Sequence, residues 1–185
     1  MIPSALPAHT DFQAALVRLG ARLPPTPLFP APDLTQSAGR LLWLKAECLQ
    51  PTGSFKVRGV LNWLQTASND QLNAGLITVS AGNHALALAW GAQHYGVPVT
   101  VVMPRTASPL KVARTRALGA VVILKDSIQQ AVQHCANLCQ QRHLTLVHPY
   151  NDSRIMAGQG TIALELLAQN KGIGQVLCPV GGGGL

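Results

Sequence analysis

Apolar residues along this chain alternate between two spacings. From Asp11 to Leu23 they recur at three- and four-residue steps, with Phe12, Ala15, Leu16 and Leu19 on one side, which predicts an amphipathic helix. Thr10 or Asp11 suits its cap, and Gly20 followed by Pro24-Pro25 ends it. Thr26-Pro27-Leu28 reads as a rigid extended turn and 40–46 as a strand. Helical spacing returns over 55–66, with Trp63 and Leu64 on the apolar side. A buried strand over 75–79 precedes an Ala- and Leu-rich helix over 83–95, closed by Gly96. β-branched residues make 97–103 the next strand. Ser108 and Pro109 suit the cap and first position of a helix reaching Leu118, with Gly119 after it. A strand over 120–124, a helix over 127–142, a strand over 144–147, a helix over 154–169 with Gly158 as a candidate interruption, and a strand over 175–178 complete the pattern. Strands alternating with helices predict an α/β chain with parallel sheets.

Three stretches between these elements carry candidate chemistry. In Gln50-Pro51-Thr52-Gly53-Ser54-Phe55-Lys56, a lysine falls at a helix start, where the positive end of the dipole favours its neutral form. A neutral amine beside an aromatic ring suits attack on a carbonyl, although an exposed lysine opening an ordinary helix fits the same residues. Ser80-Ala81-Gly82-Asn83-His84 follows a strand and opens a helix, where amides and a hydroxyl can receive a carboxylate. The Gly181-Gly182-Gly183-Gly184 run lets backbone N–H groups converge on an anion without Cβ obstruction. It lacks the Lys-Ser/Thr pair of a Walker loop, and as a bare glycine run it also fits a linker.

Composition narrows the classes. Of 185 residues, 48% are apolar and 11% charged, so the chain folds around a core rather than staying disordered. Cys48, Cys135, Cys139 and Cys178 form no Cys-x-x-Cys pair, which fits a reduced, cytoplasmic protein better than a disulfide framework. Cys135 and Cys139 with His134 lack a fourth ligand at zinc-like spacing; they read as helix packing, and no metal is expected. The formal net charge is +7, but the basic residues are dispersed. Their densest group, Arg105, Lys111, Arg114 and Arg116, has no interleaved aromatics and reads as a solvated or domain-facing helix surface rather than a nucleic-acid module. Met1-Ile2-Pro3-Ser4-Ala5 lacks the basic and apolar parts of a signal peptide, and no apolar run suits a membrane span.

Taken together, in this order, the three stretches resemble the fold-type-II pyridoxal-phosphate enzymes, the tryptophan synthase β-like family, over about Ala14 to Leu185. The similarity is greatest to the serine/threonine dehydratase branch: Ser54-Phe55-Lys56-Val57-Arg58-Gly59 contrasts with the Ser-Val-Lys-Asp-Arg of cysteine synthases, and Asn83-His84 with threonine synthases. The resemblance implies two lobes, with 51–148 as the small one and 1–50 and 149–185 as parts of a large one that continues further in the family. It implies pyridoxal 5′-phosphate as cofactor and Lys56 as the residue that carries it and then removes the substrate's Cα proton. Phe55 would pack on the coenzyme ring and Asn83 would lie near the ring hydroxyl. Gly181, Gly182, Gly183, Gly184 and Leu185 would hold the phosphate. Ser80, Ala81, Gly82, Asn83 and His84 would receive the substrate. Residues Arg154 to Glu165 match a dehydratase pattern assigned to scaffold.

The implied reaction converts L-serine or L-threonine to a 2-oxo acid and ammonia, in an enzyme whose relatives are often homo-oligomers. Ala81 occupies the place of the second proton donor, a serine, in serine racemases, which favours elimination. Cys48, Leu86 and Asn151 depart from the family's common asparagine, glutamine and aspartate and bear on substrate choice. The chain is expected to be the N-terminal part of such an enzyme, silent by itself and weak in coenzyme binding. The alternatives are a remnant that only binds the coenzyme or a partner, a serine racemase-like enzyme, and a basic nucleic-acid module.

Overall fold

β3 (Leu76–Val79), β4 (Val99–Pro104), β5 (Val121–Lys125) and β6 (Thr145–Leu146) form one parallel sheet in the order β5-β4-β3-β6 in the computed structural model, which describes residues 6–185. The reading of residues 1–5 as no signal peptide lies outside the described residues. The sheet separates two apolar layers because successive strand residues face opposite sides. Leu76, Val99, Val101 and Met103 face a core shared with α3 (Lys56–Thr66), α5 (Asn83–Tyr95) and Val112 of α6 (Pro109–Ala117). Ile77 and Val102 face Ala131, Cys135 and Leu138 of α7 (Ile128–Arg142). Each parallel crossover thus buries a helix on one face of the sheet.

A second, two-stranded sheet pairs β1 (Leu28–Pro30) antiparallel with β2 (Trp43–Lys45). α8 (Ser153–Gln169) reaches this sheet through the Lys45–Glu165 pair, and α1 (His9–Gly20) packs on α8 and α3; α2 (Pro32–Ala38) follows β1 in the chain, and α4 (Asn69–Asn73) joins α3 to β3. α2 and α4 are too short to show a hydrophobic period, and the sequence pattern misses both. α1 begins earlier than predicted: Ala8 is its cap, and Asp11 folds back to accept the Ala8 N–H at 2.7 Å. The strand predicted over 175–178 does not form. No strand among the described residues pairs with it, and without a ladder its exposed amides are left to water.

α8 runs uninterrupted through Gly158. The glycine has another cause: α8 crosses α3 there at backbone contact. A Cβ on Gly158 would lie 2.6 Å from both the Arg58 carbonyl oxygen and the Gly59 Cα, and one on Gly59 would lie 2.8 Å from the Ile155 carbonyl oxygen. These neighbours are backbone and cannot rotate away. Gly158→Ala therefore forces the helices apart and is expected to destabilise the fold by about 1–3 kcal/mol despite alanine's better helix propensity. Urea unfolding measures it; an unchanged or raised midpoint would contradict the crossing.

The same crossing buries Arg58. Its Nε–H and one Nη2–H donate to Glu47 at 2.8 and 2.7 Å; Nη1 and Nη2 donate to Glu165 at 2.6 and 2.8 Å, and Nη1 donates to Thr161 Oγ1 at 3.2 Å. Lys45 adds a 2.6 Å pair to Glu165, and the Thr26 hydroxyl donates to Glu47 at 2.6 Å. Two cations and two carboxylates thus bind β2, the 3-10 turn Glu47–Leu49, α3 and α8 into one unit. No helix among the described residues is long and apolar enough to cross a membrane, and no cluster of three metal-ligating side chains is found among them.

Candidate active site

The turn Pro51–Ser54 delivers Phe55 and Lys56 to the first turn of α3. The Lys56 ammonium donates to the Pro149 carbonyl oxygen at 2.8 Å and sits 5.1 Å from the Phe55 ring centroid. A Cβ on Gly184 would lie 2.6 Å from Lys56 Nζ, so the glycine run touches the amine only because it lacks side chains. Burial holds the Lys56 amine below the usual lysine range.

β3 ends at Val79, and Ser80–Gly82 turns the chain into α5. Ser80 Oγ accepts the Gly82 and Ala85 amides at 3.2 and 3.3 Å. Gly82, the N-cap of α5, has no side chain, and Ser80 Oγ takes only the Ala85 amide of the first turn, so among the described residues the Asn83 and His84 amides stay open at the positive end of a thirteen-residue helix. His84 is buried, and its Nε2 lies 3.2 Å from the Val147 carbonyl oxygen, which also accepts the Thr78 hydroxyl at 2.8 Å. A carbonyl only accepts, so Nε2 carries the proton and Nδ1 is a bare acceptor, without a partner among the described residues. Burial drives this imidazole down to about 3, overriding the carbonyl bond that raises it, with the Lys56 charge lowering it further. His84 is neutral at pH 7.

These pieces enclose one cleft of about 410 Å³. Of the residues singled out from sequence, Phe55, Lys56, Ser80, Asn83, His84, Gly181, Gly182, Gly184 and Leu185 line it. Ala81, Gly82 and Gly183 do not: Ala81 packs toward the main core, and Gly183 turns the loop at φ +76°. Sequence reasoning missed Val79, Pro149, Tyr150 and Pro179, which also line the cleft. Tyr150 backs the glycine run, with its ring 2.9 Å from where a Gly182 Cβ would stand, and it meets His148 edge-on at 4.7 Å. An aromatic directly after His148-Pro149 was the available signal.

The family described as pyridoxal-phosphate dependent enzyme matches residues 21–185. The chain is 40% identical over 178 residues to the L-threonine ammonia-lyase of Geobacter sulfurreducens, covering 96% of this chain and 44% of that protein. It is 40% identical over 161 residues to a serine racemase of Arabidopsis thaliana, covering 86% and 49%. Among solved structures, a threonine deaminase of T.th. superposes with a TM-score of 0.86 at 41% identity, covering 96% of this chain and 58% of that one. The chain spans about half the length of these relatives.

Proposed function

This chain belongs to the family of pyridoxal-phosphate dependent enzymes, and on that premise we propose that it forms the lysine-bearing part of a cytoplasmic L-serine/L-threonine ammonia-lyase. The observation that carries the reading is the Lys56 amine held between the Pro149 carbonyl and Gly184, in a cleft onto which the N-terminus of α5 opens. The residues fit the coenzyme: an amine of depressed basicity for its aldehyde, a glycine run in which a Cβ at Gly182 or Gly184 would collide with Tyr150 or Lys56, and a neutral buried acceptor on His84.

In this arrangement Gly181–Gly184 and Leu185 would hold the coenzyme's phosphate, and Phe55 and Asn83 would hold its ring. Bound pyridoxal 5′-phosphate supplies the electron sink that lets the substrate lose its Cα proton and then its β-hydroxyl. Lys56 Nζ takes and carries the Cα proton, since burial keeps the amine from holding its own proton tightly. The Ser80–Asn83 loop receives the substrate carboxylate through the Ser80 hydroxyl and the open end of α5. His84 stays neutral, held by its Nε2–H on the Val147 carbonyl, with Nδ1 left bare to accept a hydrogen bond from what binds in the cleft.

The similarity to a serine racemase supports a second reading on the same scaffold. The methyl of Ala81 has no proton to return to Cα, which favours elimination. Incubation with L-threonine and L-serine, assayed for 2-oxo acid and for D-amino acid, tests this. Oxo acid is expected in excess; D-amino acid at an equal rate would establish the racemase reading instead. Turnover by the 185-residue chain alone is proposed to be low, because residues 175–180 are exposed and outside any strand, so the glycine run is steadied mainly by Tyr150 and Lys56. The lobes are assigned as 1–50 with 149–185, and 51–148.

A further inference from the structure

The basic group Arg105, Lys111, Arg114 and Arg116 is not used by the chemistry above. Arg105 is neutralised by Asp126 at 2.8 Å, and Arg114 and Arg116 lie in the last turn of α6, where cations suit the dipole. Lys111 is different. It stands in the first turn of the same helix, where a cation faces the positive end of the dipole and where α6 carries no acidic residue. Among the described residues its half-buried side chain makes no ion pair or hydrogen bond. Its Nζ would lie 3.5 Å from a Cβ on Gly82, so the ammonium rests beside the loop between β3 and α5. Residues that break a local rule with no compensating contact concentrate at functional sites.

The chemistry of that ligand follows from what surrounds it. Lys56 is committed to the carbonyl side of the cleft at Pro149. His84 and His148 are both held below the usual histidine range by burial. The loop otherwise offers neutral donors: the Ser80 hydroxyl and the amides that open α5. A carboxylate received there needs a cation close by, and a charge-assisted contact is stronger than a neutral one. We propose that Lys111 is the cation that positions the substrate α-carboxylate over the Ser80–Asn83 loop. A Cβ on Gly82 would meet the ammonium at ordinary contact distance, so Lys111 Nζ lies directly beside the loop backbone.

This inference rests on the amino-acid lyase reading, and its test separates the two. The chain is loaded with excess pyridoxal 5′-phosphate and titrated, following coenzyme absorbance, with L-threonine and with L-threoninamide, which lacks the negative charge. Lys111→Met is expected to weaken L-threonine about tenfold or more, as loss of a charged hydrogen bond does, and to leave the amide within about twofold. Lys111→Arg should retain most of the affinity, and Lys125→Met should change neither ligand. Coenzyme affinity should be the same in all the variants. Equal weakening of acid and amide, or unchanged L-threonine binding, would overturn the role of Lys111 and leave the lyase reading standing. If the unsubstituted chain shows no absorbance change with coenzyme in excess, the lyase reading fails and the role of Lys111 with it.

Discussion

Arg58→Met is expected to lower the unfolding free energy by about 3–5 kcal/mol, because it leaves the buried Glu165 and the half-buried Glu47 without their main partner. All five guanidinium N–H groups are used, two on Glu47, two on Glu165 and one on Thr161. Removing them leaves Glu165 with Lys45 alone and Glu47 with the Thr26 hydroxyl and Gln50. Arg58→Lys keeps the charge but not the fork, so it should fall between the two. Urea unfolding of the three proteins measures the order; a loss below about 1 kcal/mol for Arg58→Met would place the network at the level of a surface ion pair.

The pH dependence of that loss has a definite sign. Burial pushes the Glu165 carboxyl up, but the bonds from Arg58 and Lys45 more than offset this and hold it below its ordinary value of 4.5. Its contribution is therefore complete above about pH 4.5 and is lost as pH falls through the lower folded value. In Arg58→Met the Arg58 bond and charge are lost and only those of Lys45 remain, so acid unfolding should begin at higher pH. His84 acts in the same direction over a wider window. Its folded value of about 3 lies below the unfolded 6.5, so the unfolded chain binds the proton first and stability declines as pH falls from 6.5 toward 3. The wild-type slope above pH 4.5 belongs to the two histidines His84 and His148, both held below their ordinary value, and the shift caused by Arg58→Met appears below it.

Features set by neighbouring residues were legible in the sequence. The helix Asn83–Tyr95 has the bounds predicted for it, because Gly82 and Gly96 punctuate it locally and Gly96 takes the left-handed cap at φ +65°. Ser108 and Pro109 likewise announced α6. Features set by distant residues were not. The Arg58–Glu165 pair joins residues 107 apart, and the Lys56–Pro149 bond joins residues 93 apart. Gly158 looked like a helix interruption because its reason, the backbone of Arg58 and Gly59, belongs to another helix. The strand over 175–178 had the right residues, but a strand exists only with a partner, and none among the described residues pairs with it. Most of the site was readable because its residues come in three contiguous runs. Tyr150 and Lys111 fell outside those runs and became visible only when the fold brought them to the cleft and its loop.

Lys56 should be the lysine that takes the coenzyme. The chain has five lysines, at 45, 56, 111, 125 and 171. Reaction with an aldehyde requires the neutral amine, and each unit by which a lysine's pKa falls multiplies that fraction by about ten near neutral pH. Burial lowers Lys56, whereas the Lys45 Nζ is occupied by its bonds to Glu165, Gln169 and the Thr26 carbonyl. Borohydride reduction after incubation with pyridoxal 5′-phosphate near pH 7, followed by peptide mapping, should place the pyridoxyl group on Lys56. The preference should shrink as pH rises toward 10.5, the ordinary lysine value, where every exposed lysine becomes reactive. Lys56→Ala should reduce trapping to the background of the other four lysines and cost turnover about 10²–10⁴-fold through the lost proton transfer alone. Lys56→Arg should behave the same way, since guanidinium keeps the charge but offers no free amine. Label concentrated on Lys111 or Lys45, or trapping undiminished in Lys56→Ala, would remove Lys56 from the centre of the site and with it the reading of the glycine run as a phosphate cradle.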